Sequence, residues 1–446
     1  MIKKIDVLLI LLTLLIFIIF NNNSINVTND SINYIQNSLL INSYIYNLNI
    51  IFEKVTYYPL LYSLVLSFFL SEQNTVDAVS CLDTIDQCVV YFEHVMILQI
   101  VVFFTTAIII FLISQKLFNN RIISYASTIL FLCNSYYLSR VFFISPEVFA
   151  IFFFTITFYF WIIFIEKKNN KYFLLLIFFS VLLITIKPIF IIIDLFLFCY
   201  LFYYKIFDYK KFIFSILIIS FFFSFSSFIK EKLFKKNNYG YELTVIEQRT
   251  AYGFIEYKEI LPLFISFIPK FGNYYLEKIF DEKQIYRVKS SENSRNYFYN
   301  NRDKLNKKNK DNLSKKEILI INLKNLDKQI ILTPVFLFRG MFMQGGYSDF
   351  YINKKNFITS VLIYFNYSFF SFAKFYLLYI GFKSMFSKEK KYFQLILFYP
   401  LIVFLCHSVL THNLPRYTSI LFGIAAVFMF QKIYNLLINY YKKNNV

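Results

Sequence analysis

Long apolar runs are the feature of this sequence that most limits the folds open to it. About ten predominantly apolar stretches recur along the chain, and short lysine-containing connectors separate many of them. A helix needs ~20 such residues to cross a bilayer, and only helices or closed barrels satisfy every backbone polar group in lipid. The sequence therefore predicts an all-α fold, a polytopic transmembrane helix bundle of about ten spans.

Composition agrees with a membrane protein. Hydrophobic residues make up 58% of the chain and charged residues only 16%, against ~45–50% and ~25% in soluble domains. The net charge of +19 could suggest a nucleic-acid partner. However, many of the lysines lie between apolar runs, and the sequence has no zinc-finger, helix-turn-helix or RNA-binding signature. We therefore expect no nucleic acid among its partners.

The first apolar run follows Lys3 and Lys4, and no small-x-small cleavage site comes after Phe20. This favours an uncleaved first span over a signal peptide. The predicted spans are Val7–Phe20, His94–Ser114, Ile122–Leu138, Pro146–Ile165, Tyr172–Lys187, Pro188–Tyr203, Phe212–Phe228, Ser360–Phe386, Phe393–Val409 and Tyr417–Leu437.

Short basic connectors set the orientation. With these spans, the connectors at 116–121, 167–171, 205–211 and 383–391 fall on the same side as both termini. Because short cytoplasmic loops are rich in Lys and Arg, we expect a multi-pass protein of the plasma (inner) membrane with cytoplasmic N- and C-termini.

This topology leaves two long external segments and predicts three regions. Residues 1–228 form an N-terminal transmembrane region with an external loop at 21–93. Residues 229–357 form a large external segment, and residues 358–446 form a C-terminal transmembrane region.

Short apolar patches in the external segments are predicted to be interfacial helices. One follows Tyr57-Tyr58-Pro59 and ends near Leu70, too short to span. Two others are Ile260–Pro269 and Ile330–Phe342. The basic stretch Asn300–Lys316 is predicted to be partly disordered.

Two cysteines of the first external loop, Cys81 and Cys88, are candidates for a disulfide in an oxidising compartment, and two free thiols are the open alternative. The cysteines show no zinc-site spacing.

Asp30 is the first candidate for chemistry. It lies about ten residues beyond the first predicted span, where a carboxylate could accept a proton from an acceptor hydroxyl. The alternative is an ordinary solvated residue or a helix N-cap.

Four cations fall at external span ends or in the external segment. They come from separate connectors and could converge on a phosphate; the alternative for each is snorkelling to lipid head groups. They are Arg140, Lys187, Arg339 and Arg416.

Glu147, in Ser145-Pro146-Glu147, begins a predicted span on the same side as these cations. It is a candidate helix cap or partner for Arg140.

The ordered set of motifs resembles the GT-C superfamily of membrane glycosyltransferases, especially its aminoarabinose-transferase and protein-mannosyltransferase-like branch. The matching features, in order, are Asp30 and Tyr34 after one span, Tyr58-Pro59-Leu60-Leu61-Tyr62, the basic turn at 115–121, Ser139-Arg140 with Ser145-Pro146-Glu147, Thr185-Ile186-Lys187-Pro188, and Pro415-Arg416-Tyr417. The family often has paired acidic residues where Ser31 follows Asp30, and an Arg where Lys187 stands.

The resemblance implies an inverting glycosyltransferase, with a polyprenyl-phosphate-sugar as donor and a glycan, lipid or protein as acceptor. Asp30 would be the catalytic base, and the four cations would bind the donor phosphate. Supporting roles would fall to Tyr34, Tyr58, Tyr62, Glu147 and Tyr417. No cofactor is firmly implied, and a divalent metal stays an open alternative.

Other functions remain open. A polysaccharide polymerase or O-antigen ligase also has many spans and external arginines, but needs no acid after the first span. A transporter or flippase would have charged groups at mid-membrane, and Asp194 and Lys374 are placed there by the sequence. A non-catalytic scaffold is a third alternative.

Overall fold

The computed structural model describes residues 3–21, 29–50, 52, 58–80, 89–233, 249–250, 252–254, 257–266, 315–341, 357–386, 391–411 and 415–444. No β-strand occurs in these ranges. The helices are α1 (Lys4–Asn21), α2 (Asn29–Ile45), α3 (Leu60–Phe68), α4 (Glu72–Ser80), α5 (Glu93–Phe118), α6 (Arg121–Leu132), α7 (Ser135–Val141), α8 (Glu147–Lys167), α9 (Asn170–Ile186), α10 (Phe190–Tyr203), α11 (Tyr209–Leu233), α12 (Tyr257–Ser266), α13 (Lys315–Lys324), α14 (Leu326–Met341), α15 (Phe357–Met385), α16 (Lys391–Leu410), α17 (Pro415–Thr418) and α18 (Phe422–Asn444).

Four helical segments of the described chain are long and apolar enough to cross a membrane. They are Val90–Phe118, Glu147–Lys167, Tyr392–Leu410 and Ser419–Tyr441. The apolar helices α6, α9 and α10 are shorter. The chain therefore has the length pattern and composition of an all-helical membrane protein.

Large apolar side chains are exposed on the outer faces of several helices. Leu8 of α1, Phe178 of α9 and Phe221 of α11 each keep more than half of their surface exposed. A soluble protein rarely exposes large apolar patches, whereas lipid tails solvate such side chains well. This exposure agrees with the membrane assignment.

The chain divides into two compact units. Unit 1 comprises residues 1–240, 350–402 and 420–446, and unit 2 comprises residues 241–349 and 403–419. Within unit 1, α8 packs against α9 and α5, α6 packs against α5 and α18, and α2 packs against α3. Within unit 2, α14 packs against α12, α13 and α17.

Two of the basic connectors have the same local construction. Asn119 and Lys168 each end a helix with a positive φ, near 50°, the left-handed conformation common after helix C-termini. Asn120 and Asn169 then cap the next helix by accepting hydrogen bonds from its first backbone N–H groups. An asparagine is well suited to this capping position.

Polar contacts gather several basic groups at one end of unit 1. Lys116 forms an ion pair with Glu166 at 2.5 Å. The buried carboxylate of Asp6 accepts hydrogen bonds from the Lys3 backbone N–H and from the Tyr125 hydroxyl. The N-terminus and the connectors after α5 and α8 therefore lie close together.

One predicted span is wrong as a single element. The stretch Ile122–Leu138 divides into α6, which ends at Leu132, and α7, which begins at Ser135. Asn134 accepts a hydrogen bond from the Tyr137 N–H at 3.1 Å and so caps a new helix inside an apolar run.

The stretches on either side of Pro188 form separate helices. The α9 helix ends at Ile186 and α10 begins at Phe190. Proline has no backbone N–H to continue a helical ladder. The Phe190 N–H instead bonds the Lys187 carbonyl at 3.0 Å.

A glycine allows α18 its close approach to α5 and α6. A Cβ built on Gly423 would overlap the Ile110 side chain, lying 2.9 Å from Cγ1 and closer still to Cδ1, and would contact Phe131 at 3.6 Å. A Cβ on Gly381 would lie 3.4 Å from its nearest neighbour, on Leu401, which is an ordinary contact.

We expect Gly423→Ala to be less stable than the matched variant Gly381→Ala by about 1–3 kcal/mol, because only the first forces a packed side chain to move. Alanine is the better helix former at either position, so a loss of stability in Gly423→Ala relative to wild type reports the packing. Reversible unfolding with SDS in mixed micelles measures it. Equal stabilities would show that Ile110 adapts without cost.

Candidate active site

The tyrosine of the short helix α3 is fully buried and anchored. Pro59 precedes the helix with a φ of −52°, which suits a helix start. The Tyr62 hydroxyl, on a side chain with 0% exposure, donates a hydrogen bond to Gln99 Oε1 at 2.9 Å. Helix α3 is thereby fixed to α5.

Gln99 is the residue that joins the parts of this site. Its Nε2 donates to the backbone carbonyls of Val141 and Phe143, at 2.7 and 3.0 Å. These carbonyls belong to the end of α7 and to the connection that leads into α8. One side-chain amide therefore connects α3, α5 and the connection between α7 and α8.

The predicted supporting tyrosines come together around Tyr62. The ring of Tyr34, on α2, lies 4.7 Å from Tyr58 and 5.2 Å from Tyr62, both edge-on. Tyr62 also packs against Phe149 of α8 at 5.7 Å. Edge-to-face pairs of this kind each contribute ~0.5–1.5 kcal/mol beyond burial. Residues distant in the sequence thus form one aromatic cluster.

Arg140 is buried in the last turn of α7. Only 2% of its surface is exposed, and its guanidinium carbon lies 5.2 Å from the Tyr136 ring centroid and 5.4 Å from that of Phe143. Such positions allow cation–π attraction. A side chain this deeply enclosed within unit 1 does not snorkel to the membrane surface, which was the alternative explanation for its place in the sequence.

Glu147 begins α8 after the Pro146 cap position, where an acidic side chain interacts favourably with the helix dipole. Its charge also acts on Tyr62. Burial raises the pKa of Tyr62 well above its usual value, and the Glu147 carboxylate raises it further, while a backbone hydrogen bond at Ser145 opposes both. Tyr62 therefore stays protonated and keeps its donor hydrogen. The predicted pairing of Glu147 with Arg140 stays a prediction.

Lys187 is half-buried at the C-terminal cap of α9. Helix α9 packs against both α8 and α3. The lysine therefore ends a helix that borders the helix of Tyr62, within the same unit as Arg140.

Some predicted site groups fall on side chains outside the described residues. Asp30 occupies the first turn of α2 and Arg416 lies in α17, but the structure describes neither side chain. Cys81, Cys88 and residues 300–314 lie outside the described ranges altogether.

Arg339 and Tyr417 are brought together in unit 2. Arg339 interacts electrostatically with Tyr252 and Tyr417, and its guanidinium is hydrogen-bonded to Tyr252. Burial lowers the pKa of Arg339, although these contacts act in the opposite direction. The Tyr417 ring lies 5.8 Å from His407. The predicted phosphate-binding cations are therefore held in two units, with Arg140 and Lys187 in unit 1.

Gln99 was missed by the sequence analysis. The sequence offered one indication of its role, a single amide inside the otherwise apolar run His94–Ser114. A polar group within a membrane span usually has a hydrogen-bond partner. The partners themselves could not be read from the sequence.

No protein-family model, curated protein or solved structure matches this chain. Across the described residues, no group of three or more His, Cys, Asp and Glu side chains could hold a metal ion. The functional argument therefore depends on the chain's own residues.

We expect Gln99→Met to destabilise unit 1 by about 2 kcal/mol, because the Val141 and Phe143 carbonyls and the Tyr62 hydroxyl would lose their partner inside the protein. Methionine keeps the volume, so the loss reports hydrogen bonding. SDS unfolding in mixed micelles measures it. Gln73→Met, at an exposed position of α4, is the control and should change stability by less than ~0.5 kcal/mol. A Gln99 variant as stable as that control would contradict the bridging role.

Proposed function

We propose that this protein is a glycosyltransferase that transfers a sugar from a polyprenyl-phosphate donor to an acceptor at the external face of the membrane. The observation that carries the proposal is the cluster of Tyr34, Tyr58 and Tyr62, in which Tyr62 interacts electrostatically with Glu147. Gln99 connects Tyr62 to the backbone carbonyls of Val141 and Phe143, which follow the buried Arg140 along the chain. The three tyrosines and Glu147 belong to the ordered set of sequence motifs, and they come together from α2, the start of α3 and α8.

The position of Asp30 supports its role as the base. It precedes Tyr34 by four residues on α2, and positions i and i+4 share one helix face. The Tyr34 side chain packs into the aromatic cluster. The backbone of Asp30 therefore lies one turn of α2 before that of Tyr34.

In the proposed reaction, Asp30 takes the proton of an acceptor hydroxyl whose oxygen attacks the anomeric carbon. The bond between that carbon and the donor phosphate oxygen breaks, and the lipid phosphate leaves with the electron pair. Attack from the opposite side inverts the anomeric centre. A phosphate leaving group needs little protonation, so nearby cations such as Arg140 and Lys187 can stabilise its charge.

The proposed topology has about ten spans and both termini in the cytoplasm, in the plasma membrane. The junction of the N-terminus with two basic connectors supports it, because the positive-inside rule assigns such an end to the cytoplasm. Donor and acceptor would then meet at the opposite face.

A transporter is the second candidate, and two buried ionisable residues favour it. Asp194 of α10 is 1% exposed and Lys374 of α15 is 0% exposed. Asp194 Oδ1 lies 3.5 Å from the Tyr399 hydroxyl. Ionisable groups within membrane helices commonly mark ion or proton pathways. A purified protein that moves a solute across vesicles without transferring sugar would establish this alternative.

We expect Asp30→Asn to lower kcat by at least about 100-fold, because an amide cannot accept the acceptor's proton. The assay is transfer of a radiolabelled sugar from a polyprenyl-phosphate donor by purified protein in nanodiscs. Asp77→Asn is the matched control, since Asp77 lies in the same predicted external loop and its described hydrogen bond is to exposed Gln73. It should retain activity within about twofold.

Two results would contradict the assignment. Wild-type protein that transfers no sugar from any polyprenyl-phosphate donor would reject the glycosyltransferase. Full activity in Asp30→Asn, with loss of activity in Arg140→Lys, would instead favour the polymerase or ligase alternative, which needs cations but no acid after the first span.

A further inference from the structure

Arg249 of unit 2 is a buried cation that the sequence analysis did not select. It is 3% exposed and uses part of its guanidinium to hold the unit together. Nη2 donates to the Gln329 carbonyl at 3.0 Å and lies 3.4 Å from Thr333 Oγ1, while Nε donates to the Val409 carbonyl at 3.4 Å. These contacts fix the orientation of the guanidinium plane.

The remaining terminal nitrogen, Nη1, is buried and has no hydrogen-bond partner among the described residues. The acceptors of the other nitrogens are carbonyls and a hydroxyl, which carry no net charge. No carboxylate of the described chain forms an ion pair with Arg249. A buried donor without a partner is costly, and an uncompensated buried charge more so.

The aromatic pair next to Arg249 connects it to a second cation. The guanidinium carbon lies 4.4 Å from the Phe336 ring centroid, and Tyr252 packs edge-on against Phe336 at 5.1 Å. Arg339 lies about one turn after Phe336 on α14. Its guanidinium is hydrogen-bonded to Tyr252. Each arginine therefore contacts one member of this aromatic pair: Arg249 lies over Phe336, and Arg339 is hydrogen-bonded to Tyr252.

Arg249 keeps its charge at neutral pH. Burial lowers the pKa of Arg249 to about 9, against a smaller opposing effect of Tyr252, so the side chain stays cationic at pH 7. Arg339 is half-buried, and like charges near one another repel unless an anion lies between or beside them.

We propose that Arg249 and Arg339 form an anion site that binds a phosphate group, either free or in the head group of an acidic lipid. Arginine's planar set of N–H donors matches phosphate oxygens, and charge-assisted hydrogen bonds are about twice as strong as neutral ones. An anion at Nη1 would supply its missing acceptor and offset the charge of Arg249. This proposal rests on the proposed function in one respect: the lipid-linked donor is one source of the phosphate.

The test uses the full chain in nanodiscs of zwitterionic phosphatidylcholine. One arm titrates inorganic phosphate or pyrophosphate, and the other adds phosphatidic acid or polyprenyl phosphate to the nanodisc. The readout is the rise in Tm of each protein relative to its own ligand-free sample, which gives an apparent Kd. We expect wild type to bind in at least one arm, and the arm that binds identifies the source.

Arg249→Gln should weaken the apparent Kd at least about tenfold, the cost of losing ~1.4 kcal/mol or more of charge-assisted bonding. Arg121→Gln, which removes one arginine from the basic end of unit 1, should bind within twofold of wild type. If Arg249→Gln does not fold, the same titrations are made with Arg249→Lys and Arg339→Gln. Each of these variants should bind the anion more weakly than wild type.

The proposal is overturned if wild type gains no stability in either arm, or if folded Arg249 and Arg339 variants bind as tightly as wild type. Sugar transfer is assayed separately on the same samples. Anion binding without transfer would reject the glycosyltransferase and keep the site, whereas transfer without anion binding would keep the glycosyltransferase and reject the site.

Discussion

The need to satisfy every backbone polar group away from water is the constraint on which this structure depends. Regular helices meet it internally, so the critical places are where helices end. At the junction between α7 and α8, Gln99 supplies the amide that bonds the Val141 and Phe143 carbonyls. The same side chain accepts from Tyr62. The rule that makes the protein helical therefore also explains how its candidate site is held together.

Each unit contains a buried arginine whose guanidinium lies close to aromatic rings. In unit 1 the Arg140 guanidinium lies near the rings of Tyr136 and Phe143, and in unit 2 Arg249 lies over Phe336 and bonds backbone carbonyls. The aromatic face and the carbonyls around Arg249 orient its guanidinium, and none of these groups carries a negative charge. A cation held in this way, at low local dielectric, interacts strongly with an anion that reaches it, which is the property required for binding a lipid phosphate.

The buried ionisable groups elsewhere in unit 1 have different surroundings. Asp194 lies near Tyr399, whose ring packs against Phe154, Phe158 and Trp161. Trp161 in turn donates to the Leu395 carbonyl at 3.0 Å. This network connects α8, α10 and α16 through polar atoms inside an apolar bundle. Such a group can fix helix positions or carry a proton, so it keeps a transport function as the alternative to sugar transfer.

The sequence by itself determined the helical class and most helix positions, because run length and hydropathy decide what can lie in lipid. It also selected Tyr34, Tyr58, Tyr62, Arg140 and Glu147 through their order along the chain. It did not reveal the break at Asn134, whose capping bond interrupts a run that stays apolar.

Only the tertiary structure decided the roles of Gln99 and Arg249. Gln99 bonds carbonyls 42 and 44 residues away, and Arg249 bonds partners 80 and 160 residues away. Local periodicity records which face of a helix is apolar, but not which distant atoms that face will meet.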